Sequence, residues 1–293
     1  MKLLRYMATA ALCTAIVTPM VLAGGRNPGS MLIYPVHRSG PDYFTVISVT
    51  NTNTQPANQV QLGGTTFVHY EYVNTVPDEH DPCLTKSCTV HNDTEILTPA
   101  DTLSLLTTCH NAEDPSGNEG FVVLTAQDPN SFNQNTAFNY LVGSELVVNS
   151  SGGVYSINAI PFEGYSPSSN FNKKLNGSEY EEAPDRLIID SFVALARSQL
   201  ALLNLTGGLD DVNTLYFQAW NDNEQPMSAT KDMGCWFDQP LNKVAEMFSE
   251  QHLAGTGNDP SELDLNCNGV GQLETGWAII DSIRERWRPA GRR

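Results

Sequence analysis

Between residues 30 and 160 the chain repeats one pattern, a short run of alternating apolar and polar residues closed by Gly, Pro, Asn, Asp or Ser. A period of two puts successive side chains on opposite faces, so each run reads as a β-strand with one face toward a core. The candidate strands are 30–37, 43–50, 65–74, 94–98, 102–108, 119–126, 138–148 and 154–160. In 43–50, Tyr43, Thr45, Ile47 and Val49 share one face, and Phe44, Val46 and Ser48 share the other. Between the runs stand Ser39-Gly40-Pro41, the stretches 51–58 and 114–118, Asp128-Pro129-Asn130 and the stretch 150–153. Gly reaches positive φ, Pro fixes φ, and Asn and Asp bond to their own backbone, so these are turns for stated reasons. Strands at this spacing with no helical period between them predict an antiparallel sandwich of immunoglobulin-like type over residues 24–160.

Residues 161–184 are rich in Pro, Ser, Asn, Gly and charge and read as a linker or long loop. Strands resume at 186–195, 199–206, 214–221, 232–237 and 276–281. In 239–253, Leu241, Val244, Ala245 and Phe248 follow the i, i+3, i+4, i+7 spacing of an amphipathic helix. Asp238 stands where an N-cap would, with Pro240 in the first turn. The expectation is a mainly β chain of two immunoglobulin-like β-sandwich domains, the second (185–283) with one short helix. A basic tail, 284–293, follows.

The N-terminus sets the compartment. Lys2 and Arg5 precede an uncharged, mostly apolar run over 7–22, and Ala23 stands before Gly24-Gly25. That is the layout of a signal peptide covering 1–23, cleaved after Ala23. The run is broken by Thr14, Thr18 and Pro19 and is shorter than a bilayer span needs. No later stretch is long and apolar enough to span; 191–208 comes closest but carries Arg197, Ser198 and Gln199. The expected protein is exported, to the periplasm, the cell surface or the medium, and does not span the membrane. Without residues 1–23 the chain has fourteen Lys and Arg against thirty-three Asp and Glu, a formal net charge of −19. Five of those bases are Arg284, Arg286, Arg288, Arg292 and Arg293. So acidic a body repels phosphate backbones, which argues against nucleic acid as a partner.

The runs GSMLIYPV, FTVISVTNTNTQPA and ILTPADTLSLLT resemble the opening strands of exported bacterial proteins built from tandem immunoglobulin-like β-sandwich domains. The resemblance covers roughly residues 30–160 and, more weakly, 185–281. It implies a fold and a compartment; no catalytic residue comes with it, because the scaffold serves many functions.

Two clusters could carry chemistry. Cys83, Cys88, His91, Cys109 and His110, with His80 nearby, have the ligand types of a zinc or copper site. An oxidising compartment favours disulfides instead. The disulfide candidates are Cys83, Cys88, Cys109, Cys235 and Cys267, an odd number that leaves a thiol over. Cys235–Cys267 with Cys83–Cys88 is the most economical pairing, and Cys88–Cys109 is the alternative in the first domain. The second cluster is Asp264-x-Asn266-x-Asn268-Gly269, the first half of an EF-hand-type calcium loop. Glu274 falls at the eleventh position rather than the twelfth; Asp259 and Glu262 could add ligands, and the ordinary reading is an Asn/Gly-rich turn. Asp210-Asp211 reads as a turn. Of the aromatics, Tyr70, Tyr72, Trp220 and Trp236 could form a sugar-stacking platform, though such residues more often pack a core.

No G-x-S-x-G, H-E-x-x-H, C-x-x-C or G-x-x-x-x-G-K-[ST] motif occurs, so no catalytic residue is assigned. His37, His69 and His252 stand singly and read as packing or surface residues. The leading functional reading is a non-catalytic structural or surface-associated protein. Its alternative is a carbohydrate-binding or calcium-dependent adhesion module meeting a protein or glycan at the cell surface, and an extracellular hydrolase ranks third.

Overall fold

The computed structural model describes residues 27–58, 61–111, 117–131, 134–167, 173–195, 198–205, 212–255, 263–269, 271 and 273–283. The protein is mainly β, with its described strands in four antiparallel sheets. The 1–23 leader, the 284–293 tail, Asp210-Asp211, Asp259 and Glu262 lie outside the described residues.

The first half builds two sheets. One has the order β4-β3-β6-β1-β9, from β1 (Met31–Arg38), β3 (Thr66–Pro77), β4 (Thr85–Leu97), β6 (Glu119–Gln127) and β9 (Ile160–Phe162). The other has the order β5-β2-β7-β8, from β2 (Tyr43–Asn51), β5 (Thr102–Leu106), β7 (Leu141–Asn149) and β8 (Val154–Asn158). Leu32, Tyr34, Val68, Tyr70, Tyr72, Val122 and Leu124 from the first sheet meet Ile47, Val49 and Leu141 from the second in one core. The alternation in β2 is realised: Thr45, Ile47, Val49 and Asn51 are buried, while Phe44 is exposed. The short turn α1 (Thr107–His110) follows β5.

The central strands β1 and β6 of the five-stranded sheet are buried on both faces. Seven consecutive residues of β1, Met31 to His37, are buried, because Met31, Ile33 and Val36 belong to a separate cluster behind the sheet. That cluster takes in Val73, Phe121, Val123 and Phe162 from the same sheet, and Tyr180, Cys235 and Trp236 from farther along the chain. The described part of 161–184 thus contributes buried side chains: Tyr180 lies in this cluster, with Leu175 and Ala183 against it.

The second half has a four-stranded sheet, order β10-β15-β12-β13, from β10 (Arg186–Val193), β12 (Asn213–Asn221), β13 (Pro226–Met233) and β15 (Thr275–Ile283). It also has a two-stranded ribbon of β11 (Gln199–Leu203) and β14 (Trp236–Pro240). Their core holds Phe192, Leu215, Phe217, Phe237, Phe248 and Ile280. The helix expected over 239–253 is broken into α2 (Leu241–Val244), a 3-10 turn at Glu246–Phe248 and α3 (Glu250–Ala254). Ala245 and Ser249 are extended at the two breaks, which lets Leu241, Val244, Met247, Phe248 and Leu253 all be buried. Adjacent Met247 and Phe248 would point 100° apart on one continuous helix. Asp238 is not the cap expected; it lies in β14, and Ser249 caps α3 by accepting a hydrogen bond from the His252 N–H.

The halves meet where residues 83–88 run beside 234–236. Gly234 N–H donates to the Cys83 carbonyl at 3.1 Å, and Cys235 N–H donates to Thr85 Oγ1 at 3.0 Å. Gly234 has to be glycine, since a Cβ there would overlap Thr85. One disulfide joins Cys88 to Cys235, which corrects both expected pairings; Cys83, Cys109 and Cys267 are free. The economical pairing closed small loops within each half, but Cys83 points into the second half's core and is not beside Cys88. Trp236 sits beneath the five-stranded sheet and donates from Nε1 to the Pro35 carbonyl at 2.8 Å.

The disulfide closes a loop of 147 residues. Loop-closure entropy for that length gives an upper value of about 5 kcal/mol. Cys88→Ser/Cys235→Ser should therefore lower the unfolding free energy by ~3–5 kcal/mol, as measured by denaturant titration.

Candidate functional site

Three groupings bring polar chemistry together, and the first absorbs part of the Cys/His region. Tyr70 and Tyr72 point from β3 into the first core, and β4 places Asp93 opposite Tyr70 and His91 opposite Tyr72. His110, from α1, closes over them. Its Nδ1 is 2.8 Å from the Tyr72 hydroxyl, and its Nε2 is 3.3 Å from Asp93 and 3.7 Å from Glu95. With a carboxylate facing Nε2, the consistent tautomer has Nε2–H toward Asp93 and the Tyr72 O–H donating to Nδ1. Burial pulls the His110 pKa down, more than Asp93 and Glu95 raise it. Burial raises both tyrosine pKa values. The Tyr70 hydroxyl is buried without a hydrogen-bond partner among the described residues. The Tyr72–His110 hydrogen bond pins α1 to the sheet.

The other members of that region are dispersed. Cys88 is spent on Cys235, His80 is exposed, and Cys109 is exposed beside His110. Burial pushes the Cys83 thiol up to about 11. Among the described residues, no group of three or more His, Cys, Asp or Glu is arranged to hold a metal ion. In the calcium-type loop, Asp264 is turned onto its own backbone: Oδ1 accepts from Asn266 N–H at 2.8 Å and Oδ2 from Gly269 N–H at 2.6 Å. Desolvation is the largest single influence on Asp264 and raises its pKa, but the backbone N–H groups of Gly269, Asn266, Asn268 and Cys267 together outweigh it and lower the pKa. Cys267 takes a φ of 54° at the turn, and the isolated Leu263–Leu273 bridge closes the loop. Asn268 belongs to the exposed part of this loop, whereas Glu274 is buried and its backbone carbonyl accepts from Ala194 N–H.

A second grouping lies at the junction of the halves. Arg38, at the end of β1, is 3.0 Å from buried Asp238 of β14 and 3.7 Å from Glu119, with its guanidinium over the Tyr43 ring at 5.0 Å. Glu145 of β7 is 1% exposed and accepts from the Val36 N–H at 3.1 Å. Arg38 therefore pairs with two carboxyl groups, Asp238 and Glu119, while Glu145 is held by a backbone N–H. Burial, outweighing that bond and assisted by Asp238, lifts the Glu145 pKa to about 9, so its carboxyl is neutral near pH 7. Burial also raises Asp238 and Glu119 against the pull of Arg38. Nearby, His37 is enclosed edge-on to Tyr72 at 5.6 Å. The Val73 carbonyl favours its charged form slightly, but neither ring nitrogen meets hydrogen-bond geometry, and burial lowers its pKa to about 4.

The third grouping is aromatic. Tyr70, Tyr72 and Trp236 are core residues, which removes them from any platform. Trp220 stacks on Trp277, its cross-strand partner, with ring centroids 4.2 Å apart on the outer face of β12 and β15. The sequence reading missed Arg38 and Glu145. Glu145 had a readable signal, since it shares the inward register of Leu141, Gly143 and Val147 in β7.

Compared with known proteins, the chain matches no family model, no curated protein and no solved structure.

Two opposed pH limbs follow. Unfolded Glu145 titrates near 4.5, and the folded group near 9, so the folded state retains a proton and stability falls as pH rises through that window. His37 titrates near 6.5 unfolded and about 4 folded, so stability is lost as pH drops from 6.5 to about 4. Glu145→Gln should gain ~2 kcal/mol at pH 8 and flatten the alkaline limb, roughly half the full linkage value. Denaturant melts across pH 4–9 check both limbs.

Proposed function

We propose that the protein is an exported, non-catalytic structural or surface-associated component built as a pair of immunoglobulin-like sandwiches. The observation that carries this reading is the junction. A covalent bridge, an inserted tryptophan and a buried ion pair lock two β-rich halves together. A bridge between segments 147 residues apart holds where thiols are oxidised, the medium to which a leader over 1–23 would deliver the chain. Rigid coupling suits a load-bearing or spacing role better than one requiring opening and closing. The acidic surface then serves solubility outside the cell.

Thiol titration and N-terminal analysis of protein recovered from the envelope or medium test the proposal. Denatured but unreduced protein should show three thiols, from Cys83, Cys109 and Cys267, rising to five on reduction, with Gly24 as the first residue. A chain beginning at Met1 in the intracellular fraction, with every cysteine titrating before reduction, would overturn it.

A further inference from the structure

A cleft of about 490 Å³ lies at the end of the first two sheets, its described lining running from Gln55 and the stretch 61–66 on one side to the stretch 128–130, Thr136 and Phe138 on the other. Both walls are pinned. Asn51, fully buried at the end of β2, donates from Nδ2 to the Gly64 carbonyl at 2.7 Å and to the Thr98 carbonyl at 2.9 Å. Its Oδ1 accepts from Asn53 N–H at 3.0 Å, and Asn53 Oδ1 accepts from Gln55 N–H at 2.9 Å. Gly64 N–H returns to the Gln55 carbonyl at 2.9 Å, and Gly63 makes the turn at a φ of 57°. On the far side, Asp128 Oδ1 accepts from Asn130 at 2.8 Å (N–H) and 3.2 Å (Nδ2). Phe138 N–H is held by Ser30 Oγ at 3.1 Å, and Tyr140 packs against the Phe138 ring with centroids 5.1 Å apart.

The lining selects a ligand class. Gln55, Gln61 and Asn130 offer side-chain amides, Thr65 a hydroxyl, Asp128 a carboxyl and Phe138 a ring. Among the described lining residues there is no Lys, Arg or His, so nothing there balances an anionic ligand. One carboxylate, with Oδ1 already engaged, does not make a cation site. A mostly polar lining is equally wrong for an apolar ligand. Amides both donate and accept, as sugar hydroxyls do, and a carboxylate can accept from two adjacent O–H groups. An aromatic ring beside them offers a face or edge to the C–H side of a sugar. The volume falls in the range of small-ligand pockets, and fixed walls reduce the entropy lost on binding.

We infer that this cleft is a binding site for a neutral glycan. The inference depends on export only for the chain to meet such a polymer, and purified protein tests it independently of the structural role. Native gels cast with a soluble β-glucan, a xylan or a mannan, with dextran sulfate as the anionic comparator, give the readout. The oxidised full chain lacking the leader should be retarded by at least one neutral polymer and not by dextran sulfate. Asp128→Ala/Asn130→Ala should weaken the apparent affinity at least tenfold. Because that pair also shapes its turn, Gln61→Ala is the second variant; its side chain makes no hydrogen bond among the described residues, and a loss of at least threefold is expected. Trp277→Ala, on the other half's outer face, should bind as the parent does. Retardation by none of the neutral polymers, undiminished binding in Gln61→Ala, or loss in Trp277→Ala instead would each overturn the assignment.

Discussion

A sheet with apolar side chains on both faces has to be covered twice, and most of this architecture follows from that constraint. Strand β1 supplies Leu32 and Tyr34 to the core shared with the second sheet, and Met31, Ile33 and Val36 to the cluster behind. One covering layer comes from β2, β5, β7 and β8. The other has to come from later in the chain, and it does, through Tyr180 and the β11–β14 ribbon that carries Trp236. Burying a large side chain such as Trp236 contributes roughly 2–3 kcal/mol. The disulfide and the Arg38–Asp238 pair fix the register of a contact that apolar burial already favours.

The alternating runs made most strands legible, since the expected 43–50 and 119–126 differ from β2 and β6 by a single residue at one end. Alternation reports one buried face, however, and it is silent where both are buried. The run of buried residues in β1 looked in sequence like any apolar strand, so the covering role of 161–184 and of Trp236 could not be read. Edge strand β4 was read only at its last residues, 94–98. Its earlier part, Thr85 to Asp93, is polar and largely solvent-facing, so its hydrophobic signal is weak. The disulfide was hidden for a related reason. Spacing favours short loops, whereas only the tertiary path brings residue 88 beside residue 235.

The quoted VTNTN and TPAD runs acquire a shared physical basis. Asn51 reaches the Thr98 carbonyl, Ala100 N–H donates to the Asn53 carbonyl at 2.8 Å, and Asn51 N–H donates to the Asp101 carbonyl at 2.9 Å. The two runs are therefore the two sides of one turn assembly, with a buried amide satisfying carbonyls that neither sheet ladder can reach. Replacing that amide by an apolar isostere would leave the Gly64 and Thr98 carbonyls without this donor, which carries a desolvation cost. Sequence similarity at these positions consequently reports turn chemistry and carries no information about a ligand.

The polar groups divide by how they are satisfied, and the division bears on function. At the junction, Asp238 is held by Arg38 and Glu145 is kept as a neutral carboxyl accepting from the Val36 N–H, an arrangement whose value lies in holding two halves together. Under α1, His110 is held by the Tyr72 hydroxyl at Nδ1, while Nε2 faces Asp93 and Glu95 without meeting hydrogen-bond geometry. The cleft beside Asn51 differs. There the backbone bonds are closed by Asn51, Asn53 and Ser30, while the Gln61 side chain and the second oxygen of Asp128 make no hydrogen bond among the described residues. A fold that satisfies its walls from behind and leaves mixed donors and acceptors in front confines the entropy lost on binding to side chains such as Gln61, because the backbone around them is already ordered.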